Sequence, residues 1–181
     1  MANELKINAF EYVLYKLDEW YKEKNTSSEE HNDISILKAL KLLFFISAVD
    51  SRKDSDETLL DVVFNNFVAM PYGHVESDVY SNIKNNSHNN ITIDNNKATI
   101  TNLDKILELK ADVKTKIDNS IIKLKGINAE LINMSAFELV ELSHSWYSWK
   151  IYFAKAKRNN TNRESIPNEI IKSEEKIFFI N

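Results

Sequence analysis

The sequence predicts a mainly α-helical protein with one small β-hairpin. Only two glycines and two prolines occur among 181 residues, whereas sheet-rich folds need many more of these residues for their tight turns. Apolar residues also recur at helical spacing along most of the chain. We therefore expect a single compact domain over residues 1–181, with about six to eight helices and a hairpin near residues 91–100.

The first two helices are predicted from their apolar faces. A long helix covers about residues 3–24, with its apolar side chains on one face, and a polar loop follows over residues 25–32. Asn32 or Asp33 is expected to cap the second helix. That helix is apolar on nearly every side, so we expect it in the middle of the core.

A third helix is predicted after a charged break in the pattern. Asp54, followed three residues later by Glu57, resembles a capping box. The apolar stripe that follows places the end of this helix near Phe67.

A rigid corner is expected next, where one proline and one glycine lie close together. Pro71 fixes its own φ, while Gly73 is free to adopt a positive φ. This pattern predicts a change of chain direction between a helix ending near Ala69 and a helix beginning near His74.

The second half of the chain begins with the hairpin. Apolar and polar residues alternate around a turn-forming centre in residues 91–100. A long amphipathic helix is predicted over residues 102–125, with Gly126 as its stop. Ser135 and Glu138 form a second capping-box pattern at the start of another helix.

An aromatic cluster and a basic segment precede the chain end. Residues 146–153 contain two tryptophans, two tyrosines and a phenylalanine, and residues 155–165 are expected to form a basic, polar loop. Pro167 is placed like a first-turn proline of a terminal helix that continues to the chain end.

Composition excludes several classes of function. The absence of cysteine removes disulfides, thiolate catalysis and Cys-ligated zinc, and it suits a reducing cytoplasm. The net charge of −4 provides no general attraction for nucleic acid or anionic lipid. The longest apolar run, residues 42–49, is too short to span a membrane, and residues 1–17 lack the pattern of a signal peptide. We expect a cytoplasmic protein.

Candidate chemistry is sparse. The four histidines lack a metal-binding spacing, and the two glycines lie too far apart for a phosphate-binding loop, so neither a metal nor another cofactor is expected. His144 lies between Ser143 and Ser145, so a small hydrolase is one hypothesis for the function, ranked last of three. However, adjacent residues on a helix diverge by roughly 100° and do not face each other. No catalytic residue is assigned.

A nucleic-acid-binding regulator is the runner-up among three hypotheses for the function. The hairpin could act as a wing beside the helices, and a basic segment follows the aromatic cluster. The residues that would contact phosphates are Lys155, Lys157, Arg158 and Arg163.

Three segments resemble one known family. They are residues 37–45, a Lys- and Leu-rich helix ending in an aromatic pair; residues 67–80, an aromatic, Tyr-Gly, Val, Tyr pattern; and residues 139–149, a Leu-x-x-Leu-Ser-His pattern followed by tryptophan. Together with the closing residues 166–179, they resemble the Panacea antitoxin domain, the SocA-like family long labelled phage-associated. The resemblance covers about residues 34–180. One departure is His74, where the family usually has proline after the Tyr-Gly pair.

The resemblance implies a non-enzymatic antitoxin that binds a protein toxin encoded by an adjacent gene. Some family members are similar to adaptors that hand the toxin to a protease, so a protease or chaperone is a further expected partner. The resemblance also implies a bacterial or phage origin. The residues that match the motifs, and are therefore expected to bind the toxin or to hold the fold, are Tyr72, Gly73, His74, Tyr80, His144 and Trp149.

Overall fold

The computed structural model describes residues 2–26 and 31–180. Those residues form nine α-helices, a short 3₁₀ helix and five strands. In chain order the elements are α1 Ala2–Lys24, α2 Ile36–Ala48, α3 Leu59–Val62, β1 Phe67–Met70, β2 Gly73–Glu76, α4 Ser77–Lys84, β3 Ile91–Ile93, β4 Ala98–Ile100, α5 Leu103–Leu107, α6 Ala111–Ile127, the 3₁₀ helix Leu131–Asn133, α7 Ala136–Ser145, α8 Tyr147–Arg158, β5 Glu164–Ser165 and α9 Asn168–Ser173.

The mainly helical fold is as predicted, and α2 lies at its centre. Every residue of α2 from Lys38 to Ala48 is buried. Buried residues from all parts of the described chain form one continuous apolar cluster around it. The first helix also matches its prediction, because Phe10, Leu14 and Leu17 point into this core. The single-domain organisation of residues 1–181 stays a prediction.

The cap of α2 differs from the prediction. Ser35 is the N-cap residue, and its Oγ accepts a hydrogen bond from the backbone N–H of Lys38 at 3.2 Å. Asn32 instead binds strand β4, since its Oδ1 accepts a hydrogen bond from the backbone N–H of Ala98 at 3.1 Å. Asp33 pairs with the Lys38 ammonium at 2.7 Å. The expected cap at Asn32 or Asp33 is therefore wrong by two or three positions, because Asn32 makes a tertiary contact and Asp33 pairs with a side chain of α2. Part of the predicted loop, residues 27–30, lies outside the described residues.

The third helix is shorter than predicted and begins later. Thr58 and Asp61 form the capping box of α3, so the box predicted at Asp54 and Glu57 is wrong. Phe67, the expected end of the helix, opens strand β1 instead. A short apolar run that is buried on both faces does not distinguish a strand from a helix by its periodicity.

The predicted helical corner is a β-hairpin. β1 pairs antiparallel with β2, and Met70 lies opposite Gly73. The two-residue loop is therefore Pro71 and Tyr72. The change of direction was predicted correctly, but the preceding helix ends at Val62 and not near Ala69, and the following helix begins at Ser77, after β2, and not near His74. β5 joins the other edge of β1, which gives the strand order β2-β1-β5.

The second hairpin is confirmed. β3 and β4 pair antiparallel, with Ile91 opposite Ile100 and Ile93 opposite Ala98. The N–H of Ile36 donates to the backbone oxygen of Asp94 at 2.8 Å, which ties the loop of this hairpin to the first turn of α2.

The helix predicted over residues 102–125 is two helices. Asn102 caps α5, whose last residue is Leu107, and α6 begins at Ala111. Gly126 lies inside α6, so the predicted stop there is wrong. This division raises the number of helices slightly above the predicted range.

The capping box at α7 is confirmed, and the chain end is partly as predicted. The N–H of Ser135 donates to Glu138 Oε2 at 2.7 Å. Residues 155–158, predicted as part of a loop, form the last turn of α8. Pro167 precedes α9, which ends at Ser173 before the chain end.

No helix formed by residues 2–26 or 31–180 is both long and apolar enough to cross a bilayer.

Candidate functional site

The turn between β1 and β2 is held by two side chains that contact its backbone. The indole N–H of Trp149, on α8, donates to the backbone oxygen of Met70 at 2.8 Å. The Nε2 atom of His144, at the end of α7, lies 3.1 Å from the backbone oxygen of Pro71 and must donate, because a carbonyl can only accept. The two rings stack with their centroids 3.7 Å apart. We call this arrangement the turn clamp.

Gly73 allows the turn to approach α7 closely. Its φ is +95°, and a Cβ atom there would lie only 2.4 Å from Ser143 Oγ. The space is used by a hydrogen bond from the N–H of His74 to Ser143 Oγ at 3.0 Å. Glycine is therefore required at this position, because the backbone φ is positive and no room is left for a side chain.

His74 is a buried residue of the interior. Its Nδ1 lies 2.8 Å from Ser143 Oγ and its Nε2 lies 2.7 Å from Ser148 Oγ. The ring stacks on Phe44 with centroids 3.7 Å apart. Burial, aided by the charges of Lys41 and His144, holds the pKa of the His74 ring well below its usual range. The ring is neutral and binds the hairpin to α2, α7 and α8.

A buried lysine on α2 binds the hairpin of β1 and β2. The Lys41 ammonium, on α2, is fully buried and donates to the backbone oxygen of His74. Burial lowers the pKa of Lys41 to about 7. Sequence reasoning did not predict this contact, because Lys41 lies within the predicted core helix and its burial depends on where β2 packs.

A partly exposed aromatic surface includes the two rings of the turn clamp and extends beyond them. The Tyr72 side chain is 58% exposed and the Phe137 side chain 67% exposed, and their rings meet edge to face at 6.3 Å. On the other side of the clamp Phe153 stacks on Trp149 at 5.0 Å. We call Tyr72, Phe137, His144, Trp149 and Phe153 the aromatic surface.

The structure distributes the six predicted residues over four environments. Gly73 and His74 are buried in the support of the turn, and His144 and Trp149 form the clamp. Tyr72 is exposed at the tip of the turn. Tyr80, on α4, lines an apolar groove together with Tyr72.

Sequence reasoning missed Phe137 as part of this surface. Leu139 and Leu142 of α7 and the following Trp146 form a buried stripe, and Phe137 falls outside the spacing of that stripe. A large aromatic residue that is out of phase with the buried face is a signal of exposure that the sequence already contained.

The basic residues of the nucleic-acid alternative mostly contact the protein itself. Lys155 pairs with Glu164 at 2.7 Å, and Lys157 lies 5.1 Å from the centre of the Phe153 ring. Arg163 donates to Ser77 Oγ at 3.0 Å, while Arg158 is exposed at the end of α8. A nucleic-acid site at these residues stays a prediction.

The two serines beside His144 are engaged elsewhere. Ser143 Oγ lies against His74, and Ser145 Oγ donates to the backbone oxygen of Leu142 at 2.6 Å. Burial lowers the pKa of His144. Among residues 2–26 and 31–180, no group of three or more His, Asp or Glu side chains is arranged to hold a metal ion.

Fold and site define a mainly helical protein in which a clamped β-turn carries an exposed aromatic surface. A family model described as "Antitoxin SocA-like, Panacea domain" matches residues 40–150, which is more than half of the chain. The chain belongs to this family, as its motifs predicted. The matched region begins in α2 and ends in α8, so it contains both hairpins, the turn clamp and the aromatic surface except Phe153. Neither a curated protein nor a solved structure is similar enough to the chain to be matched.

Proposed function

We propose that this protein is an antitoxin that neutralises a protein toxin by binding it directly through the aromatic surface. The observation that carries the proposal is the exposed pair Tyr72 and Phe137 beside the turn clamp. Membership of the SocA-like antitoxin family supports the general role. Direct binding needs no reacting group, and cofactors play no part in it.

The chemistry of the surface suits protein recognition. Large aromatic side chains dominate the binding energy of protein interfaces, because they bury much apolar area and lose little conformational entropy. Tyr72 and Phe137 keep more than half of their side chains in water. A partner that covers both would remove this apolar area from water.

The turn clamp prepares the surface for binding. Hydrogen bonds from His144 and Trp149 fix the turn that carries Tyr72 before any partner arrives. Association then pays less entropy for ordering the surface, which raises affinity without any further contact.

The proposal extends to where and with what the protein acts. The toxin is expected to be the product of an adjacent gene, and the absence of cysteine agrees with a reducing cytoplasm. Transfer of the toxin to a protease, or help from a chaperone, would be an additional activity of the bound complex. Comparing the lifetime of the toxin in cells with and without this protein distinguishes simple neutralisation from such transfer.

Coexpression with the product of the adjacent gene tests the proposal. We expect the wild-type protein to restore growth and to be recovered in a complex with that product. Phe137→Ser should weaken the complex at least about tenfold, because it removes an exposed aromatic anchor. Ile122→Ser is the matched control: Ile122 is 66% exposed on α6, and its replacement should leave the complex unchanged.

Two results would contradict the proposal in different ways. Absence of both growth rescue and a complex with wild-type protein would reject direct neutralisation. Equal binding by Phe137→Ser and Ile122→Ser, with rescue intact, would move the interface away from the aromatic surface. The thermal melting temperatures of both variants should match the wild type, since neither side chain lies in the core.

A further inference from the structure

An apolar groove lies beside the turn, and neither clamp residue, His144 or Trp149, lines it. Its walls come from Leu37 and Leu40 of α2, the turn residues Pro71 and Tyr72, and Tyr80 of α4. It encloses about 320 Å³. Pockets for small ligands occupy about 300–1,000 Å³, so this groove has room for one or two side chains and is too small for a packed helix.

The groove is lined by apolar and neutral residues and by one positively charged side chain. Among the residues that the structure places in its walls, Lys84 is the charged one, and the rest are apolar or neutral. The Lys84 ammonium lies 5.5 Å from the centre of the Tyr80 ring, and its side chain is exposed at the end of α4. A ligand that fills the groove therefore meets apolar walls and a single positive charge.

The groove is continuous with the aromatic surface. Tyr72 belongs to both, because it lines the groove and its ring also meets the ring of Phe137. A partner that covers Tyr72 therefore also lies beside Leu37 and Tyr80 in the groove. The occupant that this continuity favours is a segment of the same partner.

We propose that the groove receives an apolar side chain of the toxin, from a segment that also carries an aspartate or glutamate paired with Lys84. This inference rests on the proposed function and adds the chemistry of the segment that is recognised. The apolar side chain supplies burial between Leu37, Leu40 and Tyr80. The carboxylate matches the positive end of the groove and selects against segments that carry a lysine or arginine there.

Charge reversal at the groove tests this inference on the purified complex with the product of the adjacent gene. Lys84→Glu should raise the dissociation constant at least about tenfold, because it places like charges together. Lys53→Glu is the matched control: it makes the same charge change at an exposed loop position outside the groove and should change the constant less than about twofold. Lys84→Gln should reduce the dependence of the constant on salt.

A second variant tests the apolar part. Leu37→Glu puts a carboxylate into the groove wall and should also weaken the complex at least about tenfold. Leu37 is half-buried in the first turn of α2, which contains no acidic residue, and a negative charge suits that end of a helix, so folding is retained. Circular dichroism of both variants checks this.

The outcomes separate this inference from the proposed function. Wild-type affinity in Lys84→Glu and Leu37→Glu, together with weak binding by Phe137→Ser, would overturn the groove and leave the aromatic surface as the interface. Weak binding by Leu37→Glu alone would overturn the paired carboxylate. No binding by wild-type protein would reject the proposed function, and the groove inference with it.

Discussion

Single positions show how closely the hairpin of β1 and β2 packs against α7. The backbone of Gly73 occupies space that a side chain would share with Ser143, and its φ is positive. The sequence predicted the need for φ freedom at Gly73, since Pro71 and Gly73 together indicate a turn. It did not predict the contact with Ser143, which lies seventy positions later and becomes a neighbour only when α7 packs on β2.

The two glycines of the chain offer a matched pair of substitutions. Gly73→Ala should lower the free energy of unfolding by at least about 2 kcal/mol, because the new methyl group meets Ser143 and the backbone is strained. Gly126→Ala should leave stability unchanged or raise it by about 0.5–1 kcal/mol, since Gly126 lies inside α6 with open space around it. Urea unfolding of both variants measures the difference. Equal effects would contradict the close packing of the turn.

At the scale of elements, α2 carries a charge that the core does not favour. Lys41 is buried beneath β2, and its pKa falls to about 7, whereas a lysine in the unfolded chain titrates near about 10.4. Between these two pH values the unfolded chain binds a proton that the folded protein does not. The free energy of unfolding should therefore rise with pH across this window, and this contribution should be constant below about pH 7.

Replacement of Lys41 by methionine tests this pH dependence. The contribution of one such group is about 1.4 kcal/mol per pH unit within the window. Lys41→Met should therefore show a flatter increase in unfolding free energy between pH 7 and about pH 9.5 than the wild type. Titrating groups that the Lys41 charge does not influence are common to both proteins and cancel in the comparison. Identical slopes would mean that Lys41 stays charged in the folded state.

The elements also show which sequence signals are reliable. The long amphipathic helix α1, the central helix α2 and the hairpin of β3 and β4 were predicted because their periodicity extends over many residues or alternates around a turn. β1 was mistaken for the end of a helix because three buried residues followed by a half-buried one carry no periodicity. The predicted cap of α2 is wrong because the polar side chain of Asn32 forms a hydrogen bond with a distant strand instead of with its own helix.

The whole molecule depends on a helix outside the region that the family model matches. α1 ends before residue 40, yet it packs against α4, α5 and α6. Its buried face includes Phe10, Leu14, Leu17 and Trp20. Composition and periodicity predicted the fold class and this apolar face. The partners of the face depend on the tertiary arrangement, which the sequence pattern does not contain.

Removal of α1 should abolish cooperative folding. Truncation of one large buried side chain to alanine costs about 2–5 kcal/mol, and the total stability of a domain is about 5–15 kcal/mol. A chain beginning at residue 31 loses several such side chains at once, so we expect no cooperative thermal transition by circular dichroism. Lys22→Ala, at an exposed position of the same helix, should melt within a few degrees of the wild type. A cooperative transition in the truncated chain would show that residues 31–181 fold independently.

The turn clamp has a consequence for how this surface can diversify. His144 and Trp149 bind the backbone oxygens of Pro71 and Met70, and every amino acid supplies such an oxygen. The geometry of the turn is thereby uncoupled from the side chain displayed at its tip, Tyr72. If the proposed function is correct, substitutions at Tyr72 and Phe137 should alter the recognised partner while the scaffold stays the same. A library randomised at these two positions would explore new specificities on an unchanged framework.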